Sequence, residues 1–120
     1  MCEVMEVFMN NVTNPSFKGV YKVNMPNVNN VKDEKEKNAL AETMVYALVM
    51  GANLSVAEPR VAKDNSAVYF KVDNKSDKAF EDGFKEIISE CNKQFNTDMA
   101  KKVYYNKVDE AEYNKAEILK

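Results

Sequence analysis

The sequence contains no histidine and no tryptophan, and a single arginine, Arg60, stands against sixteen lysines. Without histidine the chain lacks the commonest general base, proton shuttle and transition-metal ligand at once. Two cysteines, Cys2 and Cys91, make no disulfide framework and have no zinc-site spacing. Three glycines leave no glycine-rich phosphate loop. No apolar run approaches the roughly 20 residues that span a bilayer. The first ten residues, MCEVMEVFMN, carry acids where a secretory leader has a basic start. These absences lead to the expectation of a soluble cytoplasmic chain with reduced thiols and with no metal, cofactor or membrane partner. The Asn-x-Ser/Thr sequences at Asn11, Asn53 and Asn74 then have no meaning as glycan acceptors.

What is present is ordinary globular composition: 120 residues, 45% apolar and 30% charged, with a net charge of −2. That length predicts one domain, 1–120. The organising stretch is 33–51, DEKEKNALAETMVYALVMG. Asp33 and Glu36 form a capping pair at its start. Leu40, Met44, Ala47 and Leu48 make an apolar stripe at helical spacing, and Gly51 sits where a helix ends. From Met44 to Met50 the apolar residues run nearly all the way round. A helix of that kind is covered on more than one side, by its own domain or by another subunit.

Around this helix the chain punctuates itself clearly. Residues 3–9 read as an extra strand, and 17–25 as a half-buried strand by alternation, with Tyr21 and Val23 on its inward side. Residues 54–61 read as a strand demoted to an edge by Pro59, and 67–73 as its hairpin partner across an Asp64-Asn65 turn. A second helix, 77–95, has Phe80, Phe84, Ile87, Ile88, Cys91 and Phe95 on one face and acids and lysines on the other. A strand at 102–108 and a short helix opened by Asp109 and Glu112 close the order. From residue 17 this is β-α-β-β-α-β, the ferredoxin-like α+β pattern: an antiparallel sheet with two helices on one face, plus an extra first strand and a terminal helix.

Residues 20–26, VYKVNMP, superficially resemble the first-strand motif of RNA-recognition domains, and 66–72, SAVYFKV, overlie their third-strand motif with Tyr69 as the aromatic. That resemblance implies bases stacked on the central strands. It departs at Ala67, where a stacking aromatic belongs, and at Ser66, which replaces a glycine. It also requires Lys22 to point into the core, so the likeness reads as convergence on a shared pattern.

Charge sorted by element leaves a weaker signal. Lys18, Lys22, Lys71 and Lys102 collect with Tyr69 and Tyr104 on the outer sheet face, while the helices carry most of the acid. Lysines among tyrosines suit a polyanion, although lysines on a sheet also guard against edge-to-edge aggregation. Arg60, after Pro59, is a candidate for an anion or an ion pair. Cys91 lies on an apolar stripe with no histidine to activate it and reads as a structural thiol. Asp33, Glu34 and Glu36 are accounted for by helix capping. The leading expectation is a non-catalytic binding or assembly module that forms a homodimer or takes a protein partner. Polyanion binding through Lys18, Lys22, Arg60, Tyr69, Lys71, Lys102 and Tyr104 is the alternative, and a small-molecule enzyme built on carboxylates and lysines comes third.

Overall fold

The computed structural model describes residues 20–118. The expected strand at 3–9, together with Cys2 and Lys18, lies outside them. The described residues are α+β, with three helices and a five-stranded antiparallel sheet in the order β4-β1-β3-β2-β5. The strands are β1 (Val20–Asn24), β2 (Arg60–Val61), β3 (Ala67–Lys71), β4 (Tyr105–Val108) and β5 (Glu117–Ile118); the helices are α1 (Glu34–Leu54), α2 (Asp77–Phe95) and α3 (Glu110–Lys115).

Strand alternation sorts the side chains into two layers. Tyr21 and Val23 of β1, with Val68 and Phe70 of β3, join Ala39, Leu40 and Ala47 of α1 and Phe80 and Phe84 of α2 in the main core. Tyr21 stacks on Phe80 with ring centres 4.0 Å apart, and Phe84 meets Tyr105 edge-on at 5.0 Å. On the opposite side of the sheet Val20 and Tyr69 form a smaller cluster with Tyr113 of α3.

Local signals placed the starts and turns well. The Asp33 carboxylate accepts the Glu36 N–H at 3.0 Å, and Asp109 does the same for Glu112. Asn65 turns the β2–β3 hairpin with φ 63°, and Asn96 ends α2 with φ 52°, both left-handed conformations that asparagine tolerates.

Three expectations are corrected. Gly51 does not end α1: its φ is negative, and the helix continues to Leu54. A Cβ at that position would lie 2.7 Å from the ring of Phe70, so the glycine is there to let α1 approach β3. The longer helix consumes the start of the expected 54–61 strand, and Pro59 has no N–H to donate. Arg60–Val61 forms the ladder, and Val56 adds a single backbone bond to the Lys71 carbonyl at 2.8 Å. The last core strand begins at Tyr105 rather than at 102, because Met99–Lys102 forms a 3₁₀ turn that buries Met99 and Ala100. The fifth strand, Glu117–Ile118, was not anticipated.

Candidate functional site: the second face of the sheet

Register places four of the predicted residues together. Lys22 of β1 is opposite Tyr69 of β3, which is opposite Arg60 of β2, so the three form a row across the sheet. Lys71 stands two residues along β3 on the same face. Lys18 lies outside the described residues. Lys102 and Tyr104 are exposed and precede β4: Lys102 closes the 3₁₀ turn, and Tyr104 extends the β1–β4 register opposite Asn24, which donates to the Lys102 carbonyl at 2.8 Å and accepts the Tyr104 N–H.

The face is not open. Residues 109–118 leave β4 at one edge, cross the sheet as α3, and finish as β5 on the far side of β2. Glu112 accepts from the Tyr69 hydroxyl at 2.7 Å and pairs with Lys22 at 3.2 Å. Glu110 pairs with Lys71 at 2.6 Å. Arg60 lies 4.6 Å over the Tyr113 ring, and its Nη1 donates to the carbonyls of Asn114 at 3.1 Å and of Tyr113 and Ala116 at 3.5 Å. Those carbonyls lie at the C-terminal end of α3, where the Tyr113 carbonyl also accepts the Ala116 N–H at 3.1 Å and where a cation is favoured by the helix dipole. The anion or ion-pair partner expected for Arg60 is therefore a helix end. Its Nε is buried without a hydrogen-bond partner.

Tyr113 anchors the crossing segment. It is 4% exposed, and its hydroxyl donates to the Glu58 carbonyl at 2.5 Å. Burying a side chain of that size contributes about 1.5–3 kcal/mol. The Lys22–Glu112 pair, more than a third exposed on both sides, adds no more than about 1 kcal/mol. The electrostatics agree in sign: the Tyr69 hydrogen bond and then Lys22 hold the Glu112 carboxyl below the usual range, and its bond to Lys22 holds that ammonium up. Burial, followed by the bond to Glu112, pushes the Tyr69 hydroxyl up. Sequence reasoning used Glu112 as half of a capping box; its carboxylate serves the sheet instead.

A second polar cluster was missed. The hydroxyl of Tyr21, a fully buried residue, donates toward Asp77 at 3.1 Å and Glu81 at 3.0 Å, and Lys107 stands 3.8 Å and 3.5 Å from the same two carboxylates. The available signal was an inward-facing tyrosine that needed an acceptor, with two acids four apart on α2. Burial first, then Glu81 and Asp77, push the Tyr21 hydroxyl far above the ordinary phenol range. Through these bonds the hydroxyl ties β1 to the start of α2. The inward aim of Tyr21 also removes it as a base-stacking platform.

The outer surface of the two long helices carries the other notable feature. Among the described residues the expectation that α1 is covered on several sides is not met: Val45 and Val49 are each 55% exposed and Tyr46 is 46% exposed. Beside them runs a groove of about 400 Å³, lined by Tyr46, Met50, Gly83, Ile87 and Cys91 with an acidic rim at Glu86 and Glu90. Cys91 is a free thiol, 2% exposed. Among the described residues no cluster of three or more side chains suited to a metal occurs, and no helix is long and apolar enough to cross a membrane. No family model matches this chain, and neither does any curated protein or solved structure.

Proposed function

We propose that this chain is a small, non-catalytic assembly module that pairs with a second copy through the outer face of α1. The observation that carries the reading is the exposed Val45–Val49 stripe on a helix whose opposite face is fully committed to the core. The stripe is self-complementary. A two-fold axis passing by position 47 sets Val45 of one copy against Val49 of the other, as an isologous contact requires. The same axis sets Glu42 against Ala52, so no like charges meet. One helix seam is smaller than a standard interface, which argues for a dimer of about micromolar affinity.

The arrangement of β1–β4 with α1 and α2 is, on this reading, ferredoxin-like, supported by the order β4-β1-β3-β2 and by helical crossovers between β1 and β2 and between β3 and β4. A cytoplasmic location belongs to the same proposal and is supported by Cys91 standing unpaired. The test is light scattering at about 100 μM, well above the expected dissociation constant. A dimer mass is expected, falling to the monomer in Val45→Glu/Val49→Glu with the fold retained by circular dichroism. A monomer mass for the unaltered chain at that concentration overturns the proposal.

A further inference from the structure

We propose that the Lys22–Tyr69–Lys71–Arg60 face is a receptor for an acidic, tyrosine-bearing peptide segment of a partner, and that residues 109–118 occupy its place in the isolated chain. The face does not satisfy its polar groups within the sheet. Both lysines and the Tyr69 hydroxyl meet carboxylates of one short segment, and Arg60 meets the carbonyls where that segment's helix ends. The occupant therefore defines the ligand: two glutamates two residues apart, a tyrosine directly after them, and a frayed end that can add to the edge of β2.

Tyr113 is the occupant's one buried anchor, and the rest of the segment is held lightly. α3 has six residues, β5 has two, Ile118 is 47% exposed, and the glutamates of both ion pairs are open to water. Segments of that kind open at a fraction of the global unfolding free energy. Next to Glu112 is a hollow of about 330 Å³ lined by Ala62, Lys63, Tyr69, Glu112, Lys115 and Ala116. It leaves room for a larger acidic side chain than the segment supplies, with Lys63 on the wall that stays behind.

A peptide fits better than a nucleic acid. The Lys22 ammonium lies over the Tyr69 ring at 5.8 Å, so the ring face that would stack a base is taken, and the tyrosine presents its hydroxyl as a donor instead. The only arginine addresses helix-end carbonyls, which a phosphate chain lacks.

A covered site lowers apparent affinity by the fraction of time it is open, so weakening the cover strengthens binding in trans. The probe is a fluorescent synthetic peptide of residues 109–118, DEAEYNKAEI, read by anisotropy against the full chain at about 50 mM salt. Glu110→Gln/Glu112→Gln in the chain should tighten peptide binding about tenfold over the unaltered chain. A peptide with glutamine at both positions should bind neither. A chain carrying Lys22→Glu/Lys71→Glu should instead accept the peptide with lysine at both glutamate positions. Equal affinity for the unaltered and doubly substituted chains overturns the proposal, as does displacement of the peptide by mixed single-stranded oligonucleotide, which would assign the face to polyanions in general. If circular dichroism shows the double variant unfolded, the unlabelled peptide at about 1 mM is titrated into the unaltered chain. Amide shift changes at Lys22, Tyr69 and Lys71 support the proposal, and their absence overturns it.

Discussion

Replacing Gly51 by alanine sets two effects of known sign against each other. Alanine is a better helix former than glycine by about 1 kcal/mol in a helix interior, so a merely exposed Gly51→Ala would stabilise. Here the added methyl would meet three ring carbons of Phe70 at 2.7–2.8 Å, well inside ordinary carbon contact. The ring cannot swing aside, because Phe70 is fully buried and packs against Phe80 at 6.3 Å between ring centres. Forcing one methyl into a filled core costs typically about 1–3 kcal/mol. The clash wins, and the net destabilisation is about 1 kcal/mol, or roughly 4 °C in thermal midpoint at about 2.1 cal/mol/K of unfolding entropy per residue. Chemical denaturation with an unchanged m-value provides the assay. Phe70→Leu in the same chain should relieve the contact, so the double-mutant cycle should return a favourable coupling of about 1 kcal/mol. Stabilisation by Gly51→Ala, or an additive cycle, would mean that α1 does not lie where its glycine requires.

Two further outcomes follow from the core and from the second face. Phe84, 4% exposed in mid-helix, should cost about 3–5 kcal/mol when cut to alanine, while Glu86, exposed on the same helix, should change stability by less than about 0.5 kcal/mol; urea titration of both variants checks the pair. The pH dependence should carry the mark of Glu112: its carboxyl is depressed in the folded chain, so its contribution is present above the unfolded carboxyl range and is lost as pH falls through the lowered folded value. Because the carboxylate is partly exposed, that loss is no more than about 1 kcal/mol, and Glu112→Gln should remove it from a plot of stability against pH.

What could be read from the sequence was what neighbours along the chain decide. The Asp33 cap, the α2 stripe through Phe80 and Phe84, the Asn65 turn and the inward aim of Tyr21 each follow from residues within a turn or two. What could not be read was decided across the fold. Gly51 has the residue type of a helix terminator, yet its reason is Phe70, which no local pattern links to it. Glu112 has the spacing of a capping box, and only the crossing of the sheet by α3 brings its carboxylate to Lys22 and Tyr69. Of the residues proposed for the outer face, the alternation in β1 and β3 grouped Lys22, Tyr69 and Lys71 together. The strand expected from 102 starts later because the 3₁₀ turn Met99–Lys102, which buries Met99 and Ala100, interrupts what reads as a continuous strand. β5 offers two residues and no periodicity, so nothing announced it.

The strand order also has a consequence in time. β1 is flanked by β3 on one side and by β4 on the other, and Val20 pairs with Val108, almost the full described length away. Of the described strands, a chain emerging in order therefore makes β1 first and one of that strand's two neighbours nearly last. Until β4 arrives, one side of β1 presents unpaired amide and carbonyl groups. Pairings so distant in sequence require loop closure before any contact rewards it, which puts such sheets toward the millisecond-to-second end of single-domain folding. Residues 105–108 thus set the moment at which the sheet can close, and the crossing segment that follows them can dock only after that.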